Sequence, residues 1–252
     1  MKRSGVGRAS VWIVASAMTA GSTSVTGEMV LRTVALSGDP APDTGAGVVF
    51  DHFNSAEIVI NDAGQVAFRS VLVGPGVNSD NDRGIWSEGN GALSLVAREG
   101  SPAPGTAAGV EFSGVLDPFL SDDGTVGFYG FLRDPGVNLD ENHIGIWSGP
   151  PGDLSLIARL GTQAPGLDPG TNFGVFNTPA YGHFGEAAYF SLLSGTGVDG
   201  TNFRSIWSED MGSPRLVARM GSAPPDTNPG VVFENFGFPV INGAGQSAFH
   251  AT

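Results

Sequence analysis

Short apolar runs alternate with polar turns along this chain, and the pattern recurs about every 60 residues. The tetrads Gly84–Ser87, Gly145–Ser148 and Ser205–Ser208 share an Ile-Trp-Ser core, and an arginine follows each tryptophan twelve residues later. A period of this length predicts several copies of one supersecondary unit, stacked so that each copy covers its neighbour's apolar face.

Each copy contains four short β segments, which are clearest in the second copy. Phe112–Leu120 leads through the turn Ser121–Gly124 into Thr125–Leu132. Ile144–Ser148 then carries the tryptophan, and Leu154–Arg159 alternates apolar and polar residues. A glycine in the fourth position of the turn suits a residue with positive φ. We therefore predict an all-β fold, a β-propeller-like array of four-stranded antiparallel blades.

The repeats occupy residues 31–252, at about 38–99, 100–160, 161–220 and, as a partial copy, 221–252. Gly- and Pro-rich stretches follow each arginine and predict crossovers between blades, because proline cannot donate to a sheet ladder. Each crossover leads to a phenylalanine that we expect to pack between adjacent blades: Phe50, Phe112, Phe173 and Phe233. A leading strand at 31–38 and a trailing half copy predict an incomplete ring with an open edge.

Residues 1–27 have the features of a signal peptide. Lys2, Arg3 and Arg8 form a basic start, and Val11–Ala20 is an apolar run too short to span a bilayer. Ala17 and Ala20 end small-residue segments that suit cleavage. We therefore expect a protein that is secreted or displayed at the cell surface, with no membrane span after the signal peptide.

The chain is acidic, with 25 acidic and 12 basic residues and a formal net charge of −13. Three of the basic residues belong to the predicted signal peptide, so the remaining chain is more acidic still. This charge argues against a nucleic-acid partner. There is no cysteine, so stability must come from packing between repeats and not from disulfides.

A motif of the form Asn-x-x-Gly-x-x-Ala-Phe begins at Asn61 and again at Asn242, with variants beginning at Ser121 and Gly182. The chain thereby resembles the bacterial exported proteins known as the choice-of-anchor tandem repeat, NxxGxxAF-containing family. The resemblance covers about residues 31–252. It implies an exported repeat protein, displayed at the surface and carrying a C-terminal sorting segment. It supplies no catalytic residues.

Acidic loops before two of the tryptophan strands are candidate metal sites. They place oxygen ligands at alternate positions, the spacing by which a loop wraps calcium. The residues concerned are Asn78, Asp80, Asp82, Asn138, Asp140 and Asn142. The alternative is a hairpin loop whose side chains bond its own backbone. Calcium is the one candidate cofactor.

Arg98, Arg159 and Arg219 stand at one repeat position and have two interpretations. They could converge as a clamp for a carboxylate, beside an acid such as Asp82 or Glu141, in a glycan-active propeller enzyme. Side chains repeated in phase more often form salt bridges between blades or cap strand ends. The histidines, His52, His143, His183 and His250, show no spacing typical of a zinc site or a catalytic triad, and we expect them in loops or at the surface.

No residue is assigned a catalytic role. The sequence favours an exported, non-enzymatic repeat scaffold or binding protein at the cell surface, with an unknown protein or glycan as its partner. Two alternatives stay open: the glycan-active enzyme with an arginine clamp, and an adhesive module stabilised by calcium.

Overall fold

The computed structural model describes residues 11–16, 30–177, 179–183, 185–210 and 213–252. The regular elements in this part of the chain are all β-strands, and the strands pair antiparallel. The predicted all-β class is confirmed. None of these residues forms a helix long and apolar enough to cross a membrane.

The N-terminal strands form a two-stranded sheet. β1 (Val11–Ser16) pairs with β2 (Val30–Leu36), which includes most of the predicted leading strand. The rest of the predicted signal peptide, residues 1–10 and 17–27, lies outside the described residues.

Three sheets repeat the predicted meander, with strands side by side in chain order. The first sheet contains β3 (Val49–Ile60), β4 (Val66–Val73), β5 (Arg83–Ser87) and β6 (Ser94–Arg98). The second contains β7 (Glu111–Leu120), β8 (Val126–Arg133), β9 (Ile144–Gly149) and β10 (Ser155–Arg159). The third contains β11 (Thr171–Phe176), β12 (Ala180–Tyr181), β13 (Ala187–Gly195), β14 (Arg204–Asp210) and β15 (Ser213–Arg219).

The third sheet has a fifth strand because its first strand is interrupted: β11 and β12 both pair with β13. The partial fourth copy is a hairpin of β16 (Val240–Ile241) and β17 (Ser247–Ala248). The turns after the first strand of each copy contain the glycine with positive φ that the sequence predicts. These glycines are Gly64, Gly124, Gly185 and Gly245.

A bulge recurs in the last strand of each of the three larger sheets. Val96, Ile157 and Val217 are each the extra residue opposite the tryptophan strand. β2 likewise has one residue more than β1 between the pairs Val11–Leu36 and Ile13–Thr33. The β1–β2 pair therefore has the same register irregularity as the third and fourth strands of a repeat.

The apolar core is divided among the spaces between successive copies. Phe112 and Trp147 of the second sheet pack in one cluster with Ile85 and Ala97 of the first. Phe173 and Trp207 of the third sheet pack in the same way against residues of the second. Phe50 packs against Ala35 and Ala41 of the N-terminal segment, and Phe233 lies in the cluster between the third sheet and the hairpin. The predicted position of these phenylalanines between copies is confirmed.

The three tetrad tryptophans are fully buried, and their neighbours explain the glycine of the tetrad. A Cβ at Gly84 or Gly145 would lie 2.8 or 2.5 Å from Cη2 of Trp86 or Trp147. Both indoles donate Nε1–H to a crossover carbonyl, that of Pro42 or Pro104. A side chain at the glycine position would therefore push the indole away from that carbonyl.

The third copy has Ser205 at the tetrad position where the other two have glycine. Its hydroxyl accepts the Nε1–H of Trp207 at 2.8 Å. The serine therefore replaces the crossover carbonyl as the partner of the indole.

Candidate functional site

The repeated arginines bind loops of their own copies. The Nε–H groups of Arg98, Arg159 and Arg219 each donate to a backbone carbonyl of the preceding loop, at 2.8 Å in all three cases. The acceptors are Asn81, Asn142 and Asn202. Partial burial lowers the pKa of Arg98 and of Arg159. This geometry matches capping within one copy, and not a salt bridge between copies.

The candidate calcium loops use most of their side-chain amides to hold their own backbone. Asn78 and Asn138 accept N–H groups from Asp80 and Asp140. Asn142 accepts the N–H of Asn138, and its amide donates to the Gly136 carbonyl.

One of these loops belongs to the first sheet and the other to the second, so their acidic side chains do not meet at one site. Asp80 faces Arg133 at 3.6 Å, while Asp82 lies beside Arg83 and Glu99. Calcium binding by these loops stays a prediction.

A different set of side chains meets at the turns that follow the first strand of each copy. Asp62, Asp122 and His183 occupy the same position in the first, second and third of these turns, and Gly243 occupies it in the fourth. One ligand atom from each of the three side chains lies within 4.8 Å of the others. We call these residues the axial cluster.

Hydrogen bonds connect the three turns in sequence. The Asn61 amide donates to the Ser121 carbonyl at 2.8 Å, and the backbone N–H of Asp62 donates to Oδ1 of Asp122 at 2.8 Å. The N–H of Asp122 donates to the His183 carbonyl at 2.8 Å. Nδ1 of His183 is in hydrogen-bond contact with Oδ2 of Asp122.

The charge state of Asp122 follows from these bonds. The N–H of Asp62 lowers the pKa of Asp122, and His183 lowers it further. Asp122 therefore stays a carboxylate at neutral pH. Asp62 is exposed, and within the described part of the chain its carboxylate makes no hydrogen bond.

The axial cluster borders a cavity of about 320 Å³. Residues from all four copies line it, including the last residue of the first strand and the first two residues of each turn. These residues are Ile60, Asn61, Asp62, Leu120, Ser121, Asp122, Tyr181, Gly182, His183, Ile241, Asn242 and Gly243. Arg98, Arg159 and Arg219 are not among its lining residues.

The model of a family of unknown function (DUF7453) matches residues 31–252. The chain belongs to the DUF7453 family. No curated protein and no solved structure matches it. The family match covers the three sheets and the hairpin, so the axial cluster lies within the DUF7453 region.

Sequence reasoning about this DUF7453 chain missed the axial cluster. His183 was expected in a loop or at the surface, and it is half exposed in a turn. The missed signal is its repeat position, which it shares with Asp62 and Asp122. Spacing rules for metal ligands search along one element and do not detect ligands about 60 residues apart.

A second polar cavity, of about 420 Å³, lies against the first sheet of the DUF7453 chain and includes Arg69, Asp82 and Arg83 in its lining. Glu99 contacts Asp82 and Arg83 and is 4 % exposed. Burial raises the pKa of Glu99 to about 7. The charge of Asp82 also raises this pKa, whereas the charge of Arg83 lowers it. The equivalent residues in the next two copies are Leu160 and Met220.

Proposed function

We propose that this protein is an exported, non-enzymatic binding scaffold whose repeats form a β-propeller-like ring, with the axial cavity as its ligand site. The observation that carries the proposal is the meeting of equivalent turns from different copies in one cavity. Loops presented by a rigid sheet scaffold are the common location of binding sites.

Distances between copies support the ring. Packed sheets lie about 10 Å apart, so a straight stack would hold equivalent atoms of the first and third sheets about 20 Å apart. The side chains of Asp62 and His183, one from each of these sheets, have ligand atoms within 4.8 Å of each other. Rotation of successive copies about an axis near the turns accounts for this approach.

Repeat position and chemistry support a binding role over catalysis. The arginines that a glycan-active enzyme would use as a clamp are bonded to their own loops. The basic start and the apolar leader segment of the sequence are consistent with export. The resemblance to the choice-of-anchor tandem repeat proteins supports display at the cell surface.

The ring is tested with a pair of cysteines, because the natural chain contains none. The double variant Asp62→Cys/His183→Cys should be joined by a short thiol-specific crosslinker with high yield. The control double variant Asp80→Cys/Thr201→Cys, on the outer loops of the same two sheets, should not be joined. Equal yields from both pairs would argue for a flexible or straight array.

Binding is tested with full-length protein on arrays of surface glycans and peptides. We expect retention without release of products, and we expect it to fall in the His183→Gln variant but not in the loop variant Asp140→Asn. Release of shortened glycans that stops in the Arg159→Lys variant would favour the enzyme instead. Export is tested by N-terminal sequencing of secreted protein, which should begin after Ala17 or Ala20.

A further inference from the structure

We propose that Asp62, Asp122 and His183 together bind one divalent transition-metal ion of the zinc or manganese type. The inference rests on the proposed function, because it names a ligand of the same axial cavity. It concerns the described residues only and is independent of the loops considered for calcium.

The geometry of the axial cluster suits a single ion. Two carboxylates and one imidazole each offer a ligand atom, and all three atoms lie within 4.8 Å of one another. Metal–ligand bonds of about 2.0–2.2 Å place the ligands of one ion about 3–4 Å apart. Small side-chain rotations at these exposed turns would bring the three atoms to those separations.

The donor set selects the class of metal. Calcium and magnesium favour oxygen ligands alone, whereas imidazole nitrogen with carboxylate oxygen suits zinc and manganese. The imidazole of His183 is the one nitrogen ligand in the cluster. It is therefore the residue that decides between a transition metal and calcium.

The fourth turn is an independent feature that shapes this site. A Cβ at Gly243 would lie 2.5 Å from Cδ2 and 2.8 Å from Nε2 of His183, so the backbone of the fourth turn packs against the ring. This contact turns Nε2 toward the fourth copy and leaves Nδ1 facing Asp122. Because the fourth turn adds no side chain, one side of the cluster stays open to the cavity.

Backbone groups also position the ligands. Oδ1 of Asp122 accepts the N–H of Asp62, which fixes the orientation of the carboxylate and leaves Oδ2 toward His183. Such a hydrogen bond to a ligand is the usual support of a metal site. A bound ion would join the first, second and third sheets at one point and stabilise the folded chain.

The test titrates metal into full-length protein that has first been dialysed against a chelator. Calorimetry should give one site per chain for Zn²⁺ or Mn²⁺, with affinity at least about tenfold above that for Ca²⁺. Binding of Mn²⁺ at this site should also reduce the electron paramagnetic resonance signal of the free ion. Folded wild-type protein that binds neither Zn²⁺ nor Mn²⁺ would overturn the proposal.

Variants assign the ligands. His183→Gln and Asp122→Asn should each weaken binding at least about tenfold. The matched controls His250→Gln and Asp168→Asn, at exposed residues outside the cluster and outside the candidate calcium loops, should not. Gly243→Ala keeps all three ligands but displaces the ring, so it should weaken binding to a smaller extent. Unchanged affinity in both ligand variants would contradict the assignment.

Folding and the ring are checked separately. Without metal, the melting temperature of His183→Gln should agree with that of the wild-type protein, because His183 is exposed. If Asp62→Cys/His183→Cys is crosslinked but wild-type protein binds no metal, the ring stands and the metal site fails. If the cysteine pair is not crosslinked and the wild-type protein binds no metal, the three turns do not meet and the axial cavity is not formed.

Discussion

The tryptophan strands and the axial turns are both repeated parts of the molecule, and they differ in what the repetition preserves. Trp86, Trp147 and Trp207 are identical and fully buried. The second turn position instead varies from Asp to Asp to His to Gly, although the backbone of the turn is kept. The identical tryptophans therefore serve packing. At the second turn position the backbone is kept while the side chain varies, so this position is available for ligand binding.

The largest effect that would sharpen this comparison is expected at the tryptophan strands. Trp147→Ala removes a fully buried indole and should lower the free energy of unfolding by about 3–5 kcal/mol. His183→Gln, at the half-exposed axial position, should change it by less than about 0.5 kcal/mol in metal-free protein. Urea unfolding of both variants measures the difference. Equal losses would show that the axial turn also has a structural role.

A smaller effect is expected at Gly145, where repetition depends on the absence of a side chain. In Gly145→Ala the new Cβ would lie 2.5 Å from Cη2 of Trp147, so the indole must move away from the Pro104 carbonyl. We expect a loss of about 1–3 kcal/mol in unfolding free energy and a changed tryptophan fluorescence spectrum. Gly152→Ala serves as a control because no atom lies near its Cβ position, although its positive φ adds strain. A Gly145→Ala loss no larger than that of Gly152→Ala would mean that the indole tolerates the added Cβ.

Glu99 gives the pH-dependent form of the comparison, because it is buried where the next two copies have Leu160 and Met220. Its pKa rises from 4.5 to about 7 on folding. The folded protein therefore holds a proton that the unfolded chain releases, and stability from this group falls as pH rises from about 5 to about 7.

Glu99→Gln should remove that fall and make the protein more stable than wild type at pH 8 by about 1–3 kcal/mol. Near pH 5 the two proteins should be alike. Guanidinium unfolding at several pH values measures the difference in unfolding free energy between the two proteins. Contributions from other titrating groups cancel in this difference. A difference that does not change with pH would contradict the raised pKa of Glu99 itself.

Much of the fold could be predicted from the sequence because its signals are local. Alternating residues predicted the strands, and the fourth residue of each turn predicted positive φ at Gly64 and its equivalents. The way in which successive copies pack against each other has no local signal, since it depends on contacts between whole sheets. For that reason the axial cluster could not be found by spacing, although aligning the copies places its residues at one position.

Two further features escaped prediction because they are exceptions to the repeat. Glu99 interrupts a position that is apolar in the next two copies, and its pKa depends on contacts with Asp82 and Arg83 that only the fold creates. Ser205 looks like a conservative replacement for glycine but changes the partner of the indole. In both cases the local structure follows from a residue that differs between copies, so the shared repeat pattern could not predict it.

The smallest expected effect concerns that exception. In the third sheet, Ser205 accepts the Nε1–H of Trp207 at 2.8 Å and donates its own hydroxyl to the Ser191 carbonyl. Ser205→Ala should cost about 1 kcal/mol, because it leaves a buried N–H without its acceptor. Part of this loss comes from the Ser191 carbonyl and has nothing to do with the indole.

A double-mutant cycle with Trp207→Phe separates the two contributions. In the Phe background the indole N–H is already gone, while the Ser191 carbonyl loses its donor as before, so the coupling energy reports the serine–indole bond alone. We expect a coupling of about 0.5–1 kcal/mol. A value near zero would mean that Trp207 can turn to its own crossover carbonyl, as Trp86 and Trp147 do. The third copy would then differ from the others in the partner of its tryptophan, but not in the free energy that this partner contributes.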